Sequence, residues 1–229
     1  MKSLVLACMA SMLLLTSMAF ADDVSFYLTV PEDNDYALPS PDSVLVDVDL
    51  NSTTGVATVT FDAENVGPYT TALYSVLFDA NGPFTIASVT ATGDGAPGSL
   101  PADNSAPTSS SLDSLGVFSE SLEVHEATQV VFTLDPTDGV SEWTSASSVL
   151  APTTGYGSDY TGIGGFLAAS QVQLEDNDTL VTYDGKTDLD IAGNGTVPGP
   201  SPAPEPSSVA LLLGAGFGCL LLKRRQQAR

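Results

Sequence analysis

Over most of its length the chain alternates apolar and polar residues with a period of two, the pattern of half-buried β-strands. From Asp22 to Val30, Val24, Phe26, Leu28 and Val30 share one side and Ser25, Tyr27 and Thr29 the other, until Pro31 stops the run. Val44, Val46, Val48 and Leu50 repeat the pattern against Leu45, Asp47 and Asp49; after the turn residues 51–55, Ala57, Val59 and Phe61 resume it, which predicts a hairpin. The stretch 71–78 is apolar on both sides, with Ala72, Tyr74, Val76 and Phe78 opposed to Leu73 and Leu77, and reads as a central strand. Asn81-Gly82-Pro83 then turns the chain, and 84–91 is expected as the partner of that strand.

Residues 93–111 are rich in Gly, Pro, Ser and Asp and read as an exposed loop. Alternation returns over 115–124, 129–134, 165–174 and 179–183, with a last short strand at 189–192. The stretch 143–164, which holds Trp143, Tyr156 and Tyr160, fits a long loop or two edge strands. Between the chain ends no window sustains a helical period. The expected fold is all-β: an antiparallel β-sandwich or jelly roll of about eight to ten strands, over residues 22–192.

The two ends follow different rules. Lys2, the apolar run Leu4 to Leu15 and the small residues Ala19 and Ala21 have the order of a signal peptide over 1–21, cut by signal peptidase so that the mature chain begins at Asp22. Residues 193–203 are rich in Gly and Pro, and Pro198, Pro200, Pro202, Pro204 and Pro206 recur at every second position, which favours an extended spacer. Residues 207–222 carry no charge, and Lys223, Arg224 and Arg225 follow. As a helix at about 1.5 Å per residue, those sixteen residues reach roughly 24 Å. That is somewhat less than a hydrocarbon core of about 30 Å, so a marginal transmembrane helix is expected.

The order Pro204-Glu205-Pro206, apolar run, basic cluster resembles the PEP-CTERM sorting signal of Gram-negative exported proteins, over residues 204–229 only. The resemblance implies recognition of Pro204, Glu205 and Pro206 by an exosortase, with Lys223, Arg224 and Arg225 as the cytoplasmic stop. It also implies transient anchoring in the inner membrane, then delivery to the cell surface or the extracellular polysaccharide matrix.

Composition narrows the function. Cys8 and Cys219 lie in the two terminal segments, so the part between has no thiol for a disulfide or a Cys-based zinc site, and a hydrophobic core must hold it. Residues 22–206 have Lys186 as their one Lys or Arg against 28 Asp and Glu, a net charge of −27, which excludes nucleic acid as a partner. His125 stands among Glu120, Glu123 and Glu126 with no nucleophile motif around it, and carboxylate pairs are too abundant to single out a hydrolase. A non-enzymatic protein without a cofactor is therefore expected. Calcium is the one ion with hard oxygen ligands in suitable turns, and Asp176, Asp178, Asp188 and Asp190 are its candidate ligands. Trp143, Tyr156 and Tyr160 are the candidate rings for stacking on a sugar, although burial is the commoner fate of such a Trp.

Overall fold

The computed structural model of the chain describes residues 21–32, 43–65, 67–93, 99–100, 110–112, 115–137, 143–155, 157, 164–176, 179–181 and 188–195. These belong to the compact unit Met1–Gly199, and the second unit, Pro200–Arg229, lies outside them. The signal-peptide and sorting-tail expectations fall on residues outside the described ones, apart from Ala21. Among the described residues no helix is long and apolar enough to cross a membrane.

The described residues form antiparallel sheets. The strands are β1 (Ala21–Tyr27), β2 (Val30–Pro31), β3 (Val44–Asn51), β4 (Ala57–Ala63), β5 (Thr70–Phe78), β6 (Phe84–Thr92) and β7 (Ser99–Leu100). They continue with β8 (Ser110–Leu112), β9 (Gly116–Phe118), β10 (Glu120–Ala127), β11 (Gln129–Pro136), β12 (Ala168–Asp176), β13 (Thr179–Leu180) and β14 (Asp188–Gly193). Nine of them are six residues or longer, which falls within the expected eight to ten; the other five are short pieces of two or three residues. The first sheet runs β1-β3-β4-β11-β6-β7 and the second β10-β5-β12-β14-β2, with β13 beside β12.

Alternation fixed the faces of most strands. Val44, Val46, Val48 and Leu50 are buried while Asp47 and Asp49 face outward, and β3 and β4 form the expected hairpin. One core takes side chains from both sheets, including Phe26, Val46, Phe61 and Phe132 from the first and Leu73, Val76, Phe78 and Val172 from the second. At its centre Phe78 meets Phe132 edge-on with centroids 5.0 Å apart, and Phe61 lies 6.4 Å from Phe78 and 6.3 Å from Phe132.

Four expectations are corrected. The run 22–30 is two strands in different sheets, β1 and β2, and residues 93–111, expected as a loop, hold β7 and the start of β8. Residues 84–91 do not pair with β5: β6 pairs with β11 and β7 in the other sheet, so Asn81-Gly82-Pro83 carries the chain across the core. Trp143 holds that crossing, with its Nε1 donating to the Asn81 carbonyl at 2.6 Å and its ring 6.4 Å from Phe84. The run 115–124 is also two elements, β9 and the start of β10, because Ser119 donates its N–H to Asp79 Oδ1 at 2.6 Å instead of continuing the strand.

The step from β10 to β11 crosses between sheets through Thr128 alone. Glu126 adopts φ 55°, and Thr128 donates its N–H to the Thr92 carbonyl at 2.7 Å. Gly93 closes against this corner at φ +131°, where an added Cβ would lie 2.6 Å from both the Glu126 oxygen and the Thr128 nitrogen. Gly93→Ala is therefore expected to cost about 2 kcal/mol and to lower the urea midpoint by roughly 1 M. An unchanged midpoint would show that the corner has room the geometry denies.

Candidate functional site

The outer face of the second sheet is divided in two. At one end Leu77, Ala169 and Ala192 are covered by Leu115, Phe118 and Phe166, a second small core with Leu112 and Val30 packed at its margin. Here the β8–β9 hairpin lies over the sheet, joined to the chain at 154 by the Val117–Thr154 bridge. Beside this cover the sheet stays open, and the step between covered and open surface makes a groove of about 480 Å³.

An irregularity in β5 shapes the groove floor. Leu73 pairs with Val172 and Ser75 with Gln171, which leaves Tyr74 as an extra residue. On the other side, Ser75 pairs with Glu123 and Leu73 with Ala127, so β10 is displaced at the same level. A bulge re-aims side chains that a regular strand would send to opposite faces. Tyr74 and Ser75, consecutive in sequence, accordingly both line the groove. Across from them β10 supplies Ser121, Glu123 and His125, and the His125 ring meets Tyr74 edge-on at 5.5 Å and 81°.

Gln171 brings a carboxamide into the groove from β12, and its Nε2 donates to Asp190 Oδ1 at 3.1 Å. One step along the same pair of strands Gln173 Nε2 donates to Asp188 Oδ1. Two of the four candidate calcium ligands are thus carboxylates already bonded to glutamine amides. Asp176 ends β12 on the exposed side, and Asp178 lies outside the described residues. Among the described residues no three His, Cys, Asp or Glu side chains are grouped so as to hold a metal ion.

Of the three rings expected to meet a sugar, Trp143 is 7% exposed and packed into the core, so its faces are not open to a ligand. Tyr156 and Tyr160 lie outside the described residues. The groove ring that sequence reasoning passed over is Tyr74. Its only trace in the chain is the apolar run 71–78, where strict alternation assigns Tyr74 to the same side as Val76 and Phe78.

Two acidic features lie away from the groove. On the outer face of the first sheet Asp23 pairs directly with Asp49, next to Asp47. Partial burial raises the Asp47 carboxyl, with the charges of Asp49, Asp62 and Asp23 adding to it; burial, then Asp23, raises Asp49. Like charges set across a strand pair destabilise it. At the end of the second sheet Glu120 is buried, its carboxyl pushed up to about 7 by burial and then by the charge of Asp79. Comparison of the chain with protein-family models, with curated proteins and with solved structures finds no match.

Proposed function

We propose that the chain is an exported, non-enzymatic protein of the cell surface or extracellular matrix, a β-sandwich cut from its signal peptide after Ala21 and sorted by an exosortase through residues 204–229. The observation that carries this reading is the order of the tail: Pro204-Glu205-Pro206, sixteen uncharged residues, then Lys223, Arg224 and Arg225. The fold supports it. A thiol-free body held by a core shared between two sheets needs no reducing compartment. The residue expected to open the mature chain is also tied into the fold: Asp22 lies in β1, and its Oδ2 accepts the Ala146 N–H at 2.7 Å. On the proposed path signal peptidase, the exosortase and the inner membrane are transient partners, and the polysaccharide layer is the destination.

Mass spectrometry of the protein recovered from its native cell surface tests this directly. The expected product starts at Asp22 and has lost the chain beyond the Pro204-Glu205-Pro206 region. Recovery from the cytosol with both ends intact would overturn the proposal.

A second reading, a carbohydrate-binding adhesive module on the same tail, is favoured by the groove. Its floor joins an aromatic ring to fixed polar groups, as an interface with a ligand that has both apolar faces and hydroxyls requires. The calcium-dependent form of that module finds less support, because Asp188 and Asp190 each accept a hydrogen bond from a glutamine amide.

A further inference from the structure

We propose that the groove on the outer face of the second sheet binds an uncharged polysaccharide strand, with Tyr74 as the stacking ring and Gln171, Ser121 and Glu123 as partners for its hydroxyls. The inference rests on the carbohydrate-binding reading and gives it a site and a ligand class.

Three observations carry it. The first is the bulge, which brings Tyr74 and Ser75 to one face and sets the Tyr74 ring in a T-shaped contact with His125, 5.5 Å away. A braced ring is a rigid platform, and a pyranose presents an apolar C–H face to such a platform at little cost in side-chain entropy.

The second is the kind of polar group present. The lining offers a carboxamide, hydroxyls and a carboxylate, and the Gln171 amide is oriented by Asp190 at 3.1 Å. Sugar hydroxyls donate and accept together, so amides and carboxylates suit them. The groove also lies on the face of the sheet, and except at the Tyr74 bulge its strand residues, Ser75, Leu77, Ser121, Glu123 and Gln171, are paired in the β10–β5 and β5–β12 ladders. An extended peptide, which draws its affinity from unpaired edge groups, has little to bond there.

The third is charge. Among the described residues no Lys or Arg lines the groove, Glu123 does, and residues 22–206 carry a net charge of −27. A polyanionic glycan would be repelled, which leaves an uncharged one.

Native affinity electrophoresis of the full chain, kept soluble in a sugar-free polyoxyethylene detergent, tests the site. The gels contain laminarin, xyloglucan or galactomannan as uncharged probes and alginate as the anionic one. At least one uncharged probe should retard the protein and alginate should not. Tyr74→Ala and Gln171→Ala should each weaken the retardation by roughly tenfold or more. Glu123→Ala, at an exposed strand position, should weaken it while leaving the melting curve in place, so that a Tyr74 variant that fails to fold does not decide the matter.

Retardation by none of the uncharged probes overturns the proposal. So does equal retardation by alginate, or unchanged retardation of Gln171→Ala and Glu123→Ala. A protein recovered from the cell surface with both ends trimmed that binds no probe would sink the glycan site alone and leave the sorting reading standing.

Discussion

Phe78→Ala is expected to cost about 3–5 kcal/mol, the range for emptying a buried phenylalanine site. For a domain of this size that lowers the melting temperature by roughly 6–20 °C. Phe78 is fully buried on β5, a central strand of the second sheet, and it is the ring from that sheet that meets Phe61 and Phe132 of the first. Its removal takes away burial, two aromatic contacts and part of the bond between the sheets at once. Phe78→Leu, which restores much of the volume, should recover at least half of the loss. Thermal unfolding followed by circular dichroism reads both variants. A fall of under roughly 3 °C for Phe78→Ala would mean that the rings do not join the sheets as described.

The second large effect is a dependence on pH that runs opposite to ordinary acid denaturation. The carboxyl of Glu120 rises from its usual 4.5 to about 7, first through burial and then through the negative charge of Asp79; its Oε2 is buried without a hydrogen-bond partner. Between those two values the folded chain holds a proton that the unfolded chain has released. The stabilising contribution is therefore complete below about pH 4.5 and is lost as the pH rises through about 7. At about 1.4 kcal/mol per pH unit, the loss amounts to roughly 3 kcal/mol at most.

Asp47 and Asp49, also raised, act in the same sense at the acid end of the window. General repulsion among the acidic groups does so as well. Glu120→Gln separates the local term from this background. The variant should be more stable than the parent at pH 8 and nearly flat between pH 5.5 and 8, as read by urea unfolding across the range. Parallel curves for parent and variant would remove Glu120 from the account.

Much of this architecture is legible in the chain because alternation reports which side of a strand is wet. β3, β4, β11 and β14 stand where the period of two places them, and the inward residues of β3 are the ones expected. Alternation is silent about partners. Asn81-Gly82-Pro83 has the chemistry of a hairpin turn, yet β6 belongs to the opposite sheet, and the difference lies in Trp143, some sixty residues further on, bonded to the Asn81 carbonyl. Alternation is also blind to a bulge. One extra residue at Tyr74 reverses the side on which the following residues lie, and the groove depends on that reversal. The groove was hidden for a further reason: its ring, hydroxyls and carboxamide come from three strands whose pairing is non-local.

The shape of β10 has a consequence for self-association. Among the described residues it is the outermost strand of its sheet, with the exposed Glu123 and Glu126 along it and its ladder interrupted opposite Tyr74. A second copy that tried to extend the sheet from this margin would bring like charges together against a discontinuous row of donors and acceptors. At high concentration the copies therefore stay separate particles, and fusion of their sheets into fibres is disfavoured.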